Sequence, residues 1–349
     1  MKIYFTSWCL IWIILFSIGC TKNEDDHLNY YDDIIYLQDN IPYDTLHSVQ
    51  TWDFDEIGTP FRMELIDSLL FMTERNRNEE LSPIHVINTN NWEYERGLLN
   101  FGDGPNEVMI AQSIFANGTT LSVLDPFNTK IVYDVFSEGE NETILTEGVM
   151  LTQHVSDDEF YYLTGIHNET NRVLKFTKEG NLVDDFLPLP FLDDNLPINP
   201  HHHLWQNELA ISNDLNKLIL ASRHASRIDI YDFETEYIQT IAGPKNHSIK
   251  YDYTSNAGRP FSFQEDQRDH YIDLSIRGEL LYALFSGELQ SANDSNFGSY
   301  IHVFDLNNGE LIEAYKLNNP AMSIHASNEL GLLLIEHYPE TGVALVEAP

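Results

Sequence analysis

The densest run of potential metal ligands in this chain is His201-His202-His203, followed directly by Leu204-Trp205. On an extended strand neighbouring side chains point to opposite faces, so only His201 and His203 share a side. Two imidazoles are too few for a zinc site, which takes three or four protein ligands, and the sequence places no third donor beside them. Neither a metal nor a cofactor is expected. The pairs Asp157-Asp158 and Asp193-Asp194 read as turn residues, and the chain has no G-x-S-x-G elbow for a serine nucleophile. No residue is therefore assigned a catalytic role. A second group of cations and aromatics suits recognition instead: Arg223-His224, Arg259, Phe261 and Phe263, with Arg75 and Arg77 earlier in the chain. With His201, His203 and Trp205 they can line a groove for a protein segment or a glycan, the rings stacking and the arginines holding polar groups. The plainer alternative is that the rings pack loops together and the histidines face water.

These residues lie between strands, and the strands come in a repeating unit. Residues 270–276 alternate apolar and polar, Arg277-Gly278 makes a turn, and residues 279–285 are apolar almost throughout, as in a strand covered on both faces. A polar loop leads to residues 300–306, the turn Asn307-Asn308-Gly309, and a last strand over 310–316. The apolar second strand recurs at residues 69–73, 120–124, 160–164, 218–222, 280–285 and 330–336. That is a spacing of about 52 residues, near the longer propeller periods. The third strand recurs at 84–88, 130–135, 172–177, 227–232, 300–305 and 343–347. Four short antiparallel strands cannot bury both faces of their own sheet, but radial stacking of such sheets does so. The repeat predicts an all-β fold, a six-bladed β-propeller of four-stranded antiparallel blades. The sixth repeat lacks a fourth strand. Residues 46–52, on the N-terminal side, are expected to supply it and close the ring.

Of 349 residues, 42% are hydrophobic and 12% aromatic, ample for one large domain over 43–349. Lys and Arg number 19 against 55 Asp and Glu, a formal net charge of −36. So acidic a chain excludes nucleic acid as a partner, because phosphate attraction needs a basic face. The acidity carries no EF-hand spacing and is read as solubility. Both cysteines, Cys9 and Cys20, fall in the first twenty residues, so no disulfide framework is expected.

Residues 1–19 read as a lipoprotein signal peptide. Lys2 supplies the positive start, and residues 8–18 are an apolar run too short to span a bilayer. Ser17-Ile18-Gly19-Cys20 resembles a lipobox, although Ser17 stands where leucine is usual. The resemblance implies cleavage before Cys20 and lipidation there, with more than one acyl chain for stable anchoring. The acidic stretch that follows makes residues 20–42 a tether. An outer-membrane lipoprotein is expected, on the periplasmic face or at the cell surface, touching the membrane through its lipid anchor alone.

In an up-and-down blade, the first-to-second and third-to-fourth turns share one face of the ring. These are short throughout. The second-to-third loops and the crossings between blades share the other face and include every long segment, among them residues 74–83, 187–206, 242–269 and 286–299. Long loops over a rigid scaffold usually carry function, and the candidate binding residues fall on that face. The innermost strands offer Gln112, His154, His270 and His325 around the channel.

Gly102-Asp103-Gly104-Pro105-Asn106-Glu107 resembles the G-x-G-P-x-E signature of TolB-like six-bladed propeller lipoproteins, and residues 281–287 resemble the penultimate-blade strand of that family. The family implies a fold and a lipoprotein character but no settled activity. Read structurally, Gly102 and Gly104 allow positive φ, Pro105 sets the turn, and Glu107 lies near the next innermost strand. The reading that follows is a lipid-anchored, non-enzymatic binding or interaction module whose partner is an envelope protein or a glycan. The alternative is a glycan-active or other hydrolytic propeller with its site in the central channel.

Overall fold

A computed structural model describes residues 33–76, 80–134, 142–146, 150–190, 196–244, 249–253, 261–292, 296–336 and 342–346. The signal peptide, Cys20, Arg77 and Arg259 lie outside the described residues.

The second strands of the repeat, such as Leu69–Glu74 and Leu280–Phe285, are buried almost end to end. Each sits in the middle of a small antiparallel sheet. From the channel outward, blade one runs Pro60–Ile66, Leu69–Glu74, Ile84–Asn88 and Glu93–Leu98. Blade two runs Ser113–Asn117, Thr120–Asp125, Lys130–Tyr133 and Glu142–Ile144, and blade three Met150–Ser156, Phe160–Ile166, Asn171–Thr177 and Leu182–Pro188. Blade four comprises Asn207–Ser212, Lys217–Ser222, Arg227–Asp232 and Ile238–Ala242. Blade five begins with Tyr271–Arg277, Leu280–Phe285 and Gly298–Asp305. Its outer strand belongs to Leu311–Ser327, which runs on to become the inner strand of blade six, ahead of Gly331–Glu336 and Gly342–Val346.

No blade buries itself; burial is between blades. Val86 and Phe71 of blade one share a cluster with Leu121 and Val123 of blade two. Equivalent clusters join blades two and three, three and four, four and five, and five and six. Leu333, Ile335 and Val343 of blade six pack on Met63, Leu70 and Met72 of blade one. The six-bladed, all-β reading of the sequence is the observed fold.

The segment before blade one lies along the outer rim. Ser48–Trp52 pairs antiparallel with Gly342–Val346, Trp52 opposite Val343. Asp44–Leu46 pairs parallel with the outer strand of blade five. Asp33–Tyr36, expected to be tether, instead pairs parallel with Ile238–Ala242 of blade four. The reason is an open backbone edge on that blade, which the apolar run Ile34-Ile35 covers.

Hairpin turns inside the blades are tight. Gly118 and Gly278 hold φ of 58° and 59°, the left-handed region that a two-residue turn demands. Among the described residues no helix is long and apolar enough to cross a membrane.

Candidate functional site at the long-loop mouth of the channel

Alternate residues of a strand share a face, so polar residues two apart on an inner strand both face the channel. Blade one supplies Arg62 and Glu64, blade five Asp273 and Ser275, blade six Ser323 and His325. Arg62 reaches Glu208 of blade four at 2.6 Å and Asp273 at 2.7 Å. Gln153 of blade three donates to Glu208 at 2.6 Å, and Ser323 Oγ and Ile324 N–H donate to Asp273 at 2.5 and 3.0 Å. Five blades are thus tied across the axis by one polar waist.

The waist divides the channel. On the short-turn side is a chamber of about 380 Å³ that includes Glu64, His154 and His325. Burial pushes the Glu64 carboxyl well above its ordinary value, with Asp273 adding to the effect, and His325 Nδ1 stands 3.5 Å away. His154 is fixed between Ser113 and Ser122, and burial lowers it to about 3. His270, read in sequence as a neighbour of these, is fully buried beside Phe285 and lines neither chamber.

On the long-loop side is a recess of about 180 Å³. Its polar lining is Arg62, Arg75, Arg223, Gln112, Gln206 and Asn296, with no carboxylate among the described residues. Backbone bonds hold these residues at the strand ends. Arg75 N–H donates to Thr59 O at 2.9 Å, Gln112 N–H to Leu124 O at 3.0 Å, and Arg223 N–H to Gln206 O at 2.9 Å. The buried Glu74 carboxylate fastens the loop root by accepting N–H bonds from Gly58, Thr59 and Asn76 at 2.8, 2.9 and 2.7 Å. Arg223 also donates to Asn296 Oδ1 and stands 3.6 Å from Asp269. Beside this recess, sharing Gln112 and Gln206 with it, is a second of about 210 Å³ walled by Phe127, Met150 and His202.

The residues singled out in sequence are partly gathered here. Residues 198–204 are a short helix, not a strand, so His201 and His203 do not share a face as they would on a strand. Pro197 and Pro200 favour this, since proline suits a first helical turn and leaves a strand without ladder donors. Trp205 is only 4% exposed and forms a small loop core with Leu189, Leu196 and Leu204, against which Phe261 and Phe263 pack. It therefore supports the loops and offers no stacking face. His203 lies 5.2 Å from Phe261, and His224 lies 4.5 Å from Phe263 and 3.1 Å from Asp269. Burial pushes both imidazoles below the ordinary histidine value. Of the sequence candidates, Arg223 faces the recess of three arginines and His203 the apolar one. Among the described residues no group of three or more His, Cys, Asp or Glu is placed to hold a metal.

Arg62, Gln206, Asn296 and Phe127 escaped the sequence reading. One signal was present: Arg62 and Glu64 put charges at alternate positions of a strand meant to face the channel.

The Gly-x-Gly-Pro turn is structural, for a different reason than expected. Neither Gly102 nor Gly104 has positive φ; Asn106 does, at 55°. The glycines make room for a carboxylate. A Cβ on Gly102 would stand 1.9 Å from Glu107 Oε2, and that oxygen accepts Gly104 N–H at 3.0 Å. Lys130 bonds Gly104 O at 3.1 Å and Glu142 at 2.8 Å, tying the turn to blade two.

A family model described as TolB-like 6-blade propeller-like matches residues 38–329. No curated protein matches the chain. Among solved structures, the chain is similar to a Bacteroides fragilis protein described as exported, with a TM-score of 0.59, 11% identity, and coverage of 90% of this chain and 99% of that one. The Cps50 (Swd1) β-propeller domain of Myceliophteria thermophila aligns with a TM-score of 0.47 and 9% identity over 87% of this chain and 100% of that one. Hydrazine synthase of Kuenenia stuttgartiensis aligns with a TM-score of 0.47 and 11% identity over 85% and 97%. At these identities the likeness concerns fold alone.

Proposed function

Because the chain belongs to the TolB-like 6-blade propeller family, we propose that it is an exported, lipid-anchored binding module of the cell envelope, non-enzymatic, which takes a protein segment or glycan at its long-loop face. The observation that carries this is the pair of adjoining recesses at the channel mouth, one rich in donors and one apolar, set on strand ends of a rigid ring. Export is supported by the apolar leader and the lipobox-like Ser17–Cys20 stretch, and accords with a structural neighbour described as exported. Cys20 carries the anchor in this reading, and an outer-membrane position follows from the absence of Asp after it.

The test is affinity capture of the tagged, lipidated chain from gently solubilised native membranes. Wild type is compared with a variant carrying Phe127→Asp and Arg223→Glu. A partner or glycan captured by wild type and lost in the variant supports the reading. Identical capture by both removes the long-loop face from it. Labelled palmitate that enters wild type and Cys20→Ser alike removes the anchor.

One observation favours the hydrolytic alternative. Glu64, its carboxyl lifted by burial, faces His325 in the larger chamber, an arrangement that suits a general acid. Turnover of a glycan by wild type and its loss in Glu64→Gln would establish that alternative.

A further inference from the structure

Fifty-five acidic residues against nineteen basic ones should put carboxylates along almost any surface of this protein. Among the described residues, the long-loop recess has none. Its polar lining consists of three arginines and three side-chain amides, drawn from loops and strands of separate blades. Arg62 at its floor is already balanced by Glu208 and Asp273, and its Nε–H has no acceptor among the described residues. Arg75 is exposed and makes no ion pair among the described residues. Arg223 has Asp269 only at 3.6 Å, too far for a strong hydrogen bond. The amides of Gln112 and Gln206 make no side-chain hydrogen bond among the described residues, and Asn296, whose oxygen accepts from Arg223, keeps its NH₂ donors. The recess therefore presents one guanidinium without an ion pair among the described residues, that of Arg75, a second only partly balanced by Asp269, that of Arg223, and several neutral donors.

We infer that this recess is a receptor for the carboxylate of an acidic sugar, a hexuronate at the end of a glycan. The inference rests on the binding-module reading and names its ligand class. Guanidinium forks match carboxylates in bidentate geometry. One arginine is without an ion pair among the described residues and one is only partly balanced, which suits a monoanion better than a doubly charged phosphate ester. Gln112, Gln206 and Asn296 are placed to donate to ring hydroxyls. The adjoining recess supplies the flat apolar wall that a second sugar ring needs, in Phe127, which is 70% exposed, and Met150. Together the two recesses reach the lower end of the roughly 300–1,000 Å³ range of small-ligand sites. A neutral chain end leaves both arginines unanswered. A peptide C-terminus answers them but has no hydroxyls for the amides.

Isothermal titration of the full lipidated chain in neutral detergent tests this, with trigalacturonate as probe, maltotriose as its uncharged counterpart and trialanine as a peptide carboxylate. Trigalacturonate should bind, more weakly as sodium chloride is raised, and maltotriose should give no saturable heat. Arg75→Gln and Arg223→Gln should each weaken trigalacturonate by about tenfold or more, the loss of a charge-assisted hydrogen bond. Arg75 is exposed, so its replacement leaves folding intact, and Arg75→Lys should restore part of the affinity by keeping the charge without the fork. Absence of trigalacturonate binding, equal binding of maltotriose, tighter binding of trialanine, or indifference to both substitutions would each overturn the inference. A chain that captures a partner through its long-loop face yet ignores trigalacturonate overturns this ligand assignment and leaves the binding-module reading standing.

Discussion

Arg62 of blade one and Glu208 of blade four meet across the channel at 2.6 Å, with Glu208 only 2% exposed. Burial lifts the Glu208 carboxyl above its ordinary value, and Arg62 pulls against that lift. The contact joins strands that are far apart in sequence and opposed across the ring. It also forms the floor on which the candidate recess stands.

Arg62→Ala should cost about 3 kcal/mol or more, the usual effect of leaving one partner of a buried pair uncompensated. With the guanidinium gone, burial and the neighbouring Asp273 carboxylate set the Glu208 carboxyl higher still. A carboxyl raised in the folded state loses its contribution as pH rises, so the variant should weaken further as pH rises above the ordinary Glu value of about 4.3. Urea unfolding at several pH values measures this. A constant difference from wild type across that range would show that Glu208 is not what Arg62 compensates.

Gly102→Ala should destabilise the chain by about 1–3 kcal/mol, although its backbone is unstrained. The new methyl would occupy the place of Glu107 Oε2 and push that carboxylate off the Gly104 N–H. Adding Glu107→Ala should recover part of the loss, because the two residues are coupled through one space. Strict additivity in the double-mutant cycle would refute this account of the turn.

Stability should fall on acidification from about pH 6.5. Burial lowers His154 and His302 to about 3 each, so both stay neutral in the folded chain while the unfolded chain takes up protons. Groups depressed in this way contribute stability above their unfolded pKa and lose it as pH drops. Each costs up to about 1.4 kcal/mol per pH unit below 6.5. His154→Gln should flatten that slope, and the urea midpoint plotted from pH 7 to 4 reads it directly. An unchanged slope would mean that His154 is protonated where it stands.

Deleting residues 47–52 should strip the outer strand from Gly342–Val346 and remove Trp52, whose ring stacks on Trp92 of blade one at 3.4 Å between centroids. The bared strand edge should drive concentration-dependent association. Light scattering after gel filtration detects it. A monomer as stable as wild type would show that this strand does not hold blades six and one together.

The blades were legible because strand periodicity is local. Residues 280–285 read as a doubly covered strand from apolarity alone, and Asn-Gly and Arg-Gly pairs marked the hairpins. The site was less legible. Trp205 reads by type as a recognition residue, yet it is buried in a loop core against which the half-buried Phe261 and Phe263 pack, because exposure depends on what covers a residue and sequence does not show that. Arg223 lines the recess, while its companions Arg62, Gln206 and Asn296 are not singled out by sequence, since they converge from blades one to five along separate stretches of chain.

By itself, then, the sequence determined the repeat, the number of blades, the acidic balance and the split between short-turn and long-loop faces. All of these follow from patterns within some fifty residues. The folded ring alone sets the polar waist across the channel, the larger chamber on the short-turn side, and a long-loop recess lined by no carboxylate among the described residues. Those features arise where inner strands from around the ring meet, and which side chains face each other across an axis is set by ring closure and register, not by any local run of residues.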